Sequence, residues 1–360
     1  MRAIIMEVRR FNERSKICEV KELAEGIGYE VIGSIIQIRR NPDPAYLIGK
    51  GKLKELKDII KRENVKTIIF SNTLKANQAF RIRKEVGWDV DVIDRNILIL
   101  KIFEKRSRTS EAKMQIELAR LHYMLPWVKE HLKFRDVYGE QVGWGALGEY
   151  LHKIYRQHII DRIKLLEEKL EKIRSKNVYM INRRKEKGFP EIILTGYTQA
   201  GKTELFNKLT RESKPVGLGP FTTLLTYARR IKVPTNKDLI IIDSIGFIED
   251  MHPIILNAFY TTLHELALSD LILLVVDGSE EIEEIERKIR TSKDIINKVA
   301  PDTDLMIALN KIDLISHEKL EEGMKVIKYF FPFTEIIPIS AKEGKNLDLL
   351  VNKINEKVCK

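Results

Sequence analysis

The sequence predicts an α/β chain: a small N-terminal α/β subdomain with an antiparallel helical hairpin, followed by a doubly wound domain. Three observations predict it. Short β-rich runs alternate with helical ones over residues 3–95. A heptad-like apolar stagger replaces that alternation over residues 114–173. After Pro190 the pattern turns to strands apolar on both faces, separated by helices, which is how a covered parallel sheet reads. The expected units are 1–94 (α/β subdomain), 95–182 (hairpin), 183–188 (basic linker) and 189–360 (doubly wound domain).

Composition narrows the class. At 360 residues, 44% hydrophobic and 32% charged, the chain can bury real cores and is neither disordered nor collagen-like. Its longest apolar run, Leu271–Val276, has strand length and falls short of the roughly 18 residues a membrane helix needs. Ala3–Met6 is cut off at once by Glu7, Arg9 and Arg10, so no signal peptide is expected. Cys18 and Cys359 lie at opposite ends and form no disulfide framework, which points to a reducing, cytoplasmic setting. A monomer is expected. Net charge is +5 over 1–94, +10 over 95–188 and −4 over 189–360. The basic middle fits a polyanion-binding element, and charge alone leaves a solvated helical surface equally open.

In the first unit, strands are expected at Ala3–Val8, Glu30–Ile38, Thr67–Phe70 and Val90–Ile93. Helices are expected at Ser15–Ala24, Lys52–Arg62 and Lys75–Val86. In the hairpin, Met114, Leu118, Leu121 and Leu125 share one helix face, and Pro126 is expected to end it. After Gly139, Gly143, Gly145 and Gly148, a second helix is expected from Tyr150, with Ile159, Ile163, Leu166, Leu170 and Ile173 on its apolar face. Lys153, Arg156, Arg162, Lys164, Lys169, Lys172 and Arg174 make it basic. Beyond Phe189-Pro190, strands are expected at Glu191–Thr195, Thr226–Val233, Leu239–Asp243, Leu271–Asp277, Leu305–Asn310 and Glu335–Ile339. The helices between and after them are Lys202–Leu209, Pro253–Ala267, Glu281–Val299, His317–Tyr329 and Leu347–Lys357.

The chemistry lies at the ends of those strands. Gly196-Tyr197-Thr198-Gln199-Ala200-Gly201-Lys202-Thr203 follows a strand and opens a helix, the setting a phosphate-binding loop requires. Its glycines let backbone N–H groups wrap a phosphate chain, Lys202 reaches the terminal phosphates, and the Thr203 hydroxyl is placed for Mg²⁺. Asp243-Ser244-Ile245-Gly246 ends another strand, with Asp243 for Mg²⁺ through water and the Gly246 N–H for the γ-phosphate. Asn310-Lys311-Ile312-Asp313 ends a third. The Asp313 carboxylate accepts from the ring N–H and exocyclic amine of guanine, Lys311 packs along the base, and adenine would leave Asp313 unpaired. Ser340-Ala341-Lys342 brings a backbone N–H to the guanine carbonyl. Between them, Pro220–Leu224 holds Thr222 and Thr223, and Thr223 is the residue expected to close over Mg²⁺ when the γ-phosphate is present.

Phe247 stands where many GTPases carry a water-orienting glutamine. The readings that stay open are slow hydrolysis that needs outside help, a water positioned by another group, or a plain packing residue. The seven histidines form no metal motif, His152 and His158 are not at ligand spacing, and no hydrolase triad is ordered along the chain.

With these motifs in place, residues 189–360 resemble a translation-factor-class P-loop GTPase of the Obg–HflX type. The N-terminal half resembles HflX proteins specifically, in Pro44–Leu53, Asp94–Phe103, Glu111–Leu121 and Tyr123–Pro126, and so does the Phe-bearing run Asp243–Ile248. The resemblance implies a GTPase that docks on the large ribosomal subunit through rRNA contacts of the hairpin, in some members with a role in splitting ribosomes under stress. It also raises phosphate contact at Gly49–Lys52, where a turn entering the next helix is the simpler reading. Departures are visible. The family's Arg-Gly-Pro-Gly-Glu loop reads Gly143-Trp144-Gly145-Ala146-Leu147-Gly148-Glu149, leaving Trp144 as a base-stacking surface or a hydrophobic anchor. Gln199 replaces a common asparagine, which puts potassium activation in doubt. No further C-terminal domain is expected.

Overall fold

Residues 1–107, 109–137, 145–186, 188–212, 227–232, 238–244, 246–249, 252–258 and 266–358 are described by the computed structural model. The side chains of 127–137, 145–155, 177, 178, 180–186 and 256–258 are not. Two compact units emerge: residues 1–172 with 252–258, and residues 173–251 with 259–360.

The first unit is built on β1 (Arg2–Arg9), β2 (Glu30–Ile38), β3 (Thr67–Phe70) and β4 (Asp91–Asp94), an all-parallel sheet in the order β2-β1-β3-β4. Ala3–Val8 and Thr67–Phe70 are buried throughout, as expected of parallel strands covered by helices. Helices α1 (Ile17–Glu25), α2 (Lys50–Glu63) and α3 (Ala76–Val86) fall close to their expected positions. Helix α4 (Arg95–Arg106) is not announced by periodicity. Leu98, Ile99, Leu100, Ile102 and Phe103 are all buried, and the open face is narrow, formed by Lys101, Glu104 and Lys105 with the apolar Ile97 at its start, so the pattern is weak. Its start is written in Asp94, whose carboxylate accepts from the Ile97 N–H at 2.9 Å as an N-cap.

Helix α5 (Ser110–Val137) corrects the reading of Pro126, since it runs straight through that residue. Proline removes one N–H and keeps a helical φ, and the turns already formed on the N-terminal side carry the helix past the lost bond. Tyr123 on α5 is 5% exposed, and its hydroxyl donates to the Asp94 carboxylate. Asp94 accepts also from the Leu74 N–H, and burial holds its carboxyl above the usual carboxylate range despite these bonds.

Helix α6 (Gly145–Glu186) begins before Tyr150 and continues through Arg183–Glu186, where the sequence predicts a linker. Arg, Lys and Glu are good helix formers, and the first breaker is Gly188, at φ +69°. Arg162 grips the Glu117 carboxylate of α5 with two bonds of 2.7 and 2.9 Å, holding that acid below its ordinary range.

The second unit is the expected doubly wound sheet: β5 (Glu191–Thr195), β6 (Tyr227–Ile231), β7 (Leu239–Asp243), β8 (Leu271–Asp277), β9 (Leu305–Asn310) and β10 (Glu335–Pro338). Their order is β10-β9-β8-β5-β7-β6, parallel except for β6. Helix α7 (Lys202–Thr210) follows β5. The short helix α8 (Pro253–Ala258) belongs instead to the first unit, with the His252 ring edge-on to Tyr123 at 5.0 Å. Ile192, Leu194, Phe206, Leu239, Ile241, Leu271, Leu273, Met306 and Ala308 form the core of the doubly wound unit. Strand β5 lies between β7 and β8, so the strand order reverses there. A crevice opens outside the carboxyl ends of the strands at that switch point, where ligands of this fold bind.

Candidate active site

The phosphate-loop sequence leaves β5 and enters α7 at that crevice. Two of its glycines are required by geometry. Gly196 lies at φ +139°, where a Cβ would stand 2.2 Å from the Val275 carbonyl oxygen. Gly201 lies at φ +92°, where a Cβ would stand 2.3 Å from Asn310 Nδ2. Gln199 takes a left-handed φ of +68° between them. Ala200 is buried at 2% exposure.

Lys202 is 7% exposed, and its Nζ donates to the carbonyls of Gly196 at 3.0 Å and Tyr197 at 2.7 Å. Burial lowers its pKa to about 8, with Asp243 pulling the other way. The Thr203 hydroxyl donates to Asp243 Oδ2 at 3.3 Å, and both residues are buried. That hydroxyl and carboxylate are the oxygen donors a small hard cation takes alongside phosphate. Among the described residues no cluster of His, Cys, Asp and Glu forms a metal site by itself.

Gly246 lies against Lys202 and Thr198, its hypothetical Cβ 3.0 Å from Lys202 Nζ and 3.1 Å from the Thr198 methyl carbon. Phe247 then pairs with the loop as a parallel bridge: its N–H donates to Gly196 O at 2.8 Å, and its carbonyl accepts from the Thr198 N–H at 3.0 Å. At 3% exposure the Phe247 ring is a packing group. Thr223 and Trp144 lie outside the described residues.

At the other end of the crevice, Asn310 is fully buried and braces two motifs. Its Nδ2 donates to Ala200 O at 2.9 Å, and its Oδ1 accepts from the Ala341 N–H at 2.9 Å. Asp313 Oδ1 is held out of water with no hydrogen-bond partner among the described residues. A ligand edge with N–H donors would satisfy it. Ser340 is buried and its Oγ accepts from the Glu343 N–H at 3.1 Å, shaping the turn that carries Lys342. Lys311 adopts φ +66° and its Nζ donates to Asp277, a partner that motif reading misses. The signal was available, because Asp277-Gly278-Ser279 ends β8 as the other motifs end their strands, and the Ser279 N–H and hydroxyl both bond Asp277 Oδ1.

The chain is similar to known proteins along its whole length. Three family models match the chain in order: "GTP-binding GTPase N-terminal" over 14–104, "GTP-binding GTPase Middle Region" over 106–184, and "50S ribosome-binding GTPase" over 191–311. A GTPase HflX of Thermococcus kodakarensis is 37% identical, matched over all of this chain and 81% of its own length. One of Methanocaldococcus jannaschii is 39% identical, over 96% of this chain and 83% of its own. The chain belongs to the HflX family of GTPases. Among solved structures, a GTP-binding protein of Sulfolobus solfataricus in complex with GDP matches this HflX-family chain with a TM-score of 0.51 and 28% identity. That match covers all of this chain and 99% of the other. A complex of SsGBP with GDP matches with a TM-score of 0.55 and 30% identity over the same shares. Membership makes the chain a GTP-binding, GTP-hydrolysing P-loop protein. No helix among the described residues is long and apolar enough to cross a membrane.

Proposed function

We propose that this HflX GTPase binds GTP with Mg²⁺ in the crevice around β5, works on the large ribosomal subunit in the cytoplasm, and docks there as a monomer through rRNA contacts of residues 95–182. The functional division we assign is 1–94 and 95–182 for docking and 189–360 for the nucleotide. The observation that carries the site assignment is the Asn310 brace. One buried side chain ties the phosphate loop at Ala200 to the Ser340-Ala341-Lys342 turn, which supports reading the phosphate and guanine ends as one pocket.

In this reading Gly196–Thr203 wraps the phosphates with its N–H groups, and Lys202 neutralises charge developing on the γ-phosphate as water attacks in line. Thr203, Asp243 and Thr223 would hold Mg²⁺, which would supply positive charge to offset that of the phosphates. Gly246 donates its N–H to the γ-phosphate. Lys311, Asp313, Ser340, Ala341 and Lys342 hold the guanine. Binding to the ribosome is supported by the net +10 of residues 95–188, since phosphate neutralisation dominates RNA affinity, and by the description of the family model over 191–311.

The burial of Phe247 means that this position supplies no group to aim the water. Hydrolysis by the isolated protein is therefore slow, and the ribosome completes the site. The test is single-turnover GTP hydrolysis with and without purified large subunits. A stimulation of about tenfold or more, on the order of 1.4 kcal/mol off the barrier, supports the reading. The same burial favours a second reading, a nucleotide-gated RNA binder whose hydrolysis acts only as a timer. Tight subunit binding that depends on GTP, with no stimulation of hydrolysis, decides for it.

A further inference from the structure

Tyr197 occupies a position that the phosphate-loop pattern leaves unspecified, yet it is 6% exposed and heavily engaged. Its hydroxyl accepts from the Glu249 N–H at 3.1 Å and from Arg287 Nη1 at 3.3 Å. Arg287 also bonds the Glu249 carboxylate, and it bonds Glu284 at 2.9 Å. Its guanidinium lies 5.3 Å from the Tyr197 ring centroid, and Lys288 Nζ lies 4.8 Å from the same ring. Arg287 comes from helix α9 (Ile282–Val299), outside every nucleotide motif in the sequence.

These bonds bracket Phe247. On one side the main chain of Phe247 is paired with Gly196 and Thr198; on the other, Glu249 is tied to Tyr197 and Arg287. Gly246 is thereby pressed over Lys202 Nζ, and it cannot move away from the phosphate loop unless this set of bonds opens. Phe247 contributes packing and no polar group, so placement of the Gly246 N–H rests on the main chain and its anchors. Such placement is sensitive, because a shift of about 1 Å in a reacting geometry costs up to about a hundredfold in rate.

We propose that Arg287 is a positioning residue for GTP hydrolysis, acting through Tyr197 and Glu249 to hold Gly246 against the γ-phosphate. The inference rests on the assignment of Gly246 to the γ-phosphate made above. GDP has no γ-phosphate, so the clamp acts on GTP and on the chemical step and leaves GDP binding alone. A merely structural role would weaken both nucleotides together.

The experiment uses the full chain with Arg287→Ala, Arg287→Lys, Tyr197→Phe and Gly246→Ala. Three quantities are read: single-turnover GTP hydrolysis at saturating nucleotide, GDP affinity by fluorescence titration, and melting temperature. For Arg287→Ala the expected rate loss is about tenfold, with GDP affinity within about twofold of the parent. Arg287→Lys keeps the charge facing Glu249 and recovers part of the rate. Tyr197→Phe keeps the ring, loses both hydroxyl bonds and lies between parent and Arg287→Ala, so it reports even if Arg287→Ala folds poorly. An unchanged rate in both Arg287→Ala and Tyr197→Phe overturns the proposal, as does a parallel fall of rate and GDP affinity in Tyr197→Phe. Gly246→Ala separates the two levels. If it leaves hydrolysis intact, the γ-phosphate assignment fails and the clamp with it; if it alone abolishes hydrolysis, only the clamp fails.

Discussion

Lys202 holds its charge where burial opposes it. Its pKa falls from 10.5 to about 8, and this gives two opposite pH dependences. Below pH 8 the lysine is charged in both folded and unfolded chains, and the burial cost is fully present. As pH rises from about 8 towards 10.5 the folded form loses its proton first, the unfolded chain holds more protons, and stability increases. Nucleotide binding runs the other way, because phosphate favours the charged amine. GTP affinity should fall as pH passes 8, with proton uptake on binding. Calorimetric titrations at pH 7 and 9 in buffers of different ionisation enthalpy check this, and a flat affinity with no buffer dependence refutes it. In the proposed guanine pocket, Asp313→Asn would replace the two acceptor bonds assigned to the base by a mismatched amide. The expected loss is about 3–6 kcal/mol of GTP affinity at 1.5–3 per charged hydrogen bond. Xanthosine triphosphate should bind the variant better than GTP does, since the amide can donate to its extra carbonyl. Competition binding with the two nucleotides is the measurement.

Among the elements, the start of α4 concentrates stability in one carboxylate. Asp94 caps the helix at Ile97, accepts from Leu74 and takes the Tyr123 hydroxyl, joining β4, the turn before α3, and α5. Removing it in Asp94→Ala loses an N-cap and leaves the Tyr123 hydroxyl and the Leu74 N–H without that acceptor. The expected cost is about 3 kcal/mol, from roughly 1 for a cap and 1–3 for buried groups left unsatisfied. Asp94→Asn, which keeps one acceptor oxygen, should lose less. Urea unfolding of the two variants measures the difference, and equal stability of Asp94→Ala and the parent would contradict the account. This element also marks the limit of periodicity. Strands such as Leu271–Asp277 and helices such as Ile282–Val299 are legible, because one is uniformly apolar and short and the other has a clear polar face. Helix α4 is not, since tertiary packing buries most of its circumference, even Arg95 and Asn96, and leaves only the narrow face of Lys101, Glu104 and Lys105 to show the 3.6-residue period. Pro126 misleads for a related reason: a local breaker carries little weight against the cooperativity of a 28-residue helix.

For the whole molecule, the charge gradient along the chain makes a prediction that separates docking from catalysis. Lys164, Lys169 and Lys172 lie on α6 and all three are exposed, while Arg162 is engaged by Glu117. Reversing the three lysines to glutamate should weaken binding to large ribosomal subunits and flatten its salt dependence, by about 0.7–0.9 in log–log slope for each phosphate no longer neutralised. GTP affinity of the isolated protein should not change. Filter binding across a salt series measures it, and an unchanged slope would move the RNA-binding surface elsewhere in the chain. Nucleotide chemistry, the doubly wound class and the family can all be read from the chain without coordinates. They are written in short motifs whose spacing to strand ends is local, and local pattern is what a sequence preserves. Packing, by contrast, is what makes Phe247 an anchor stitched to the phosphate loop, lets Asn310 brace both ends of the pocket, and brings Asp277 and Arg287 to the site. Each of these joins residues some thirty to over a hundred positions apart. Pairings at that separation are set by how sheets and helices pack, which no motif encodes.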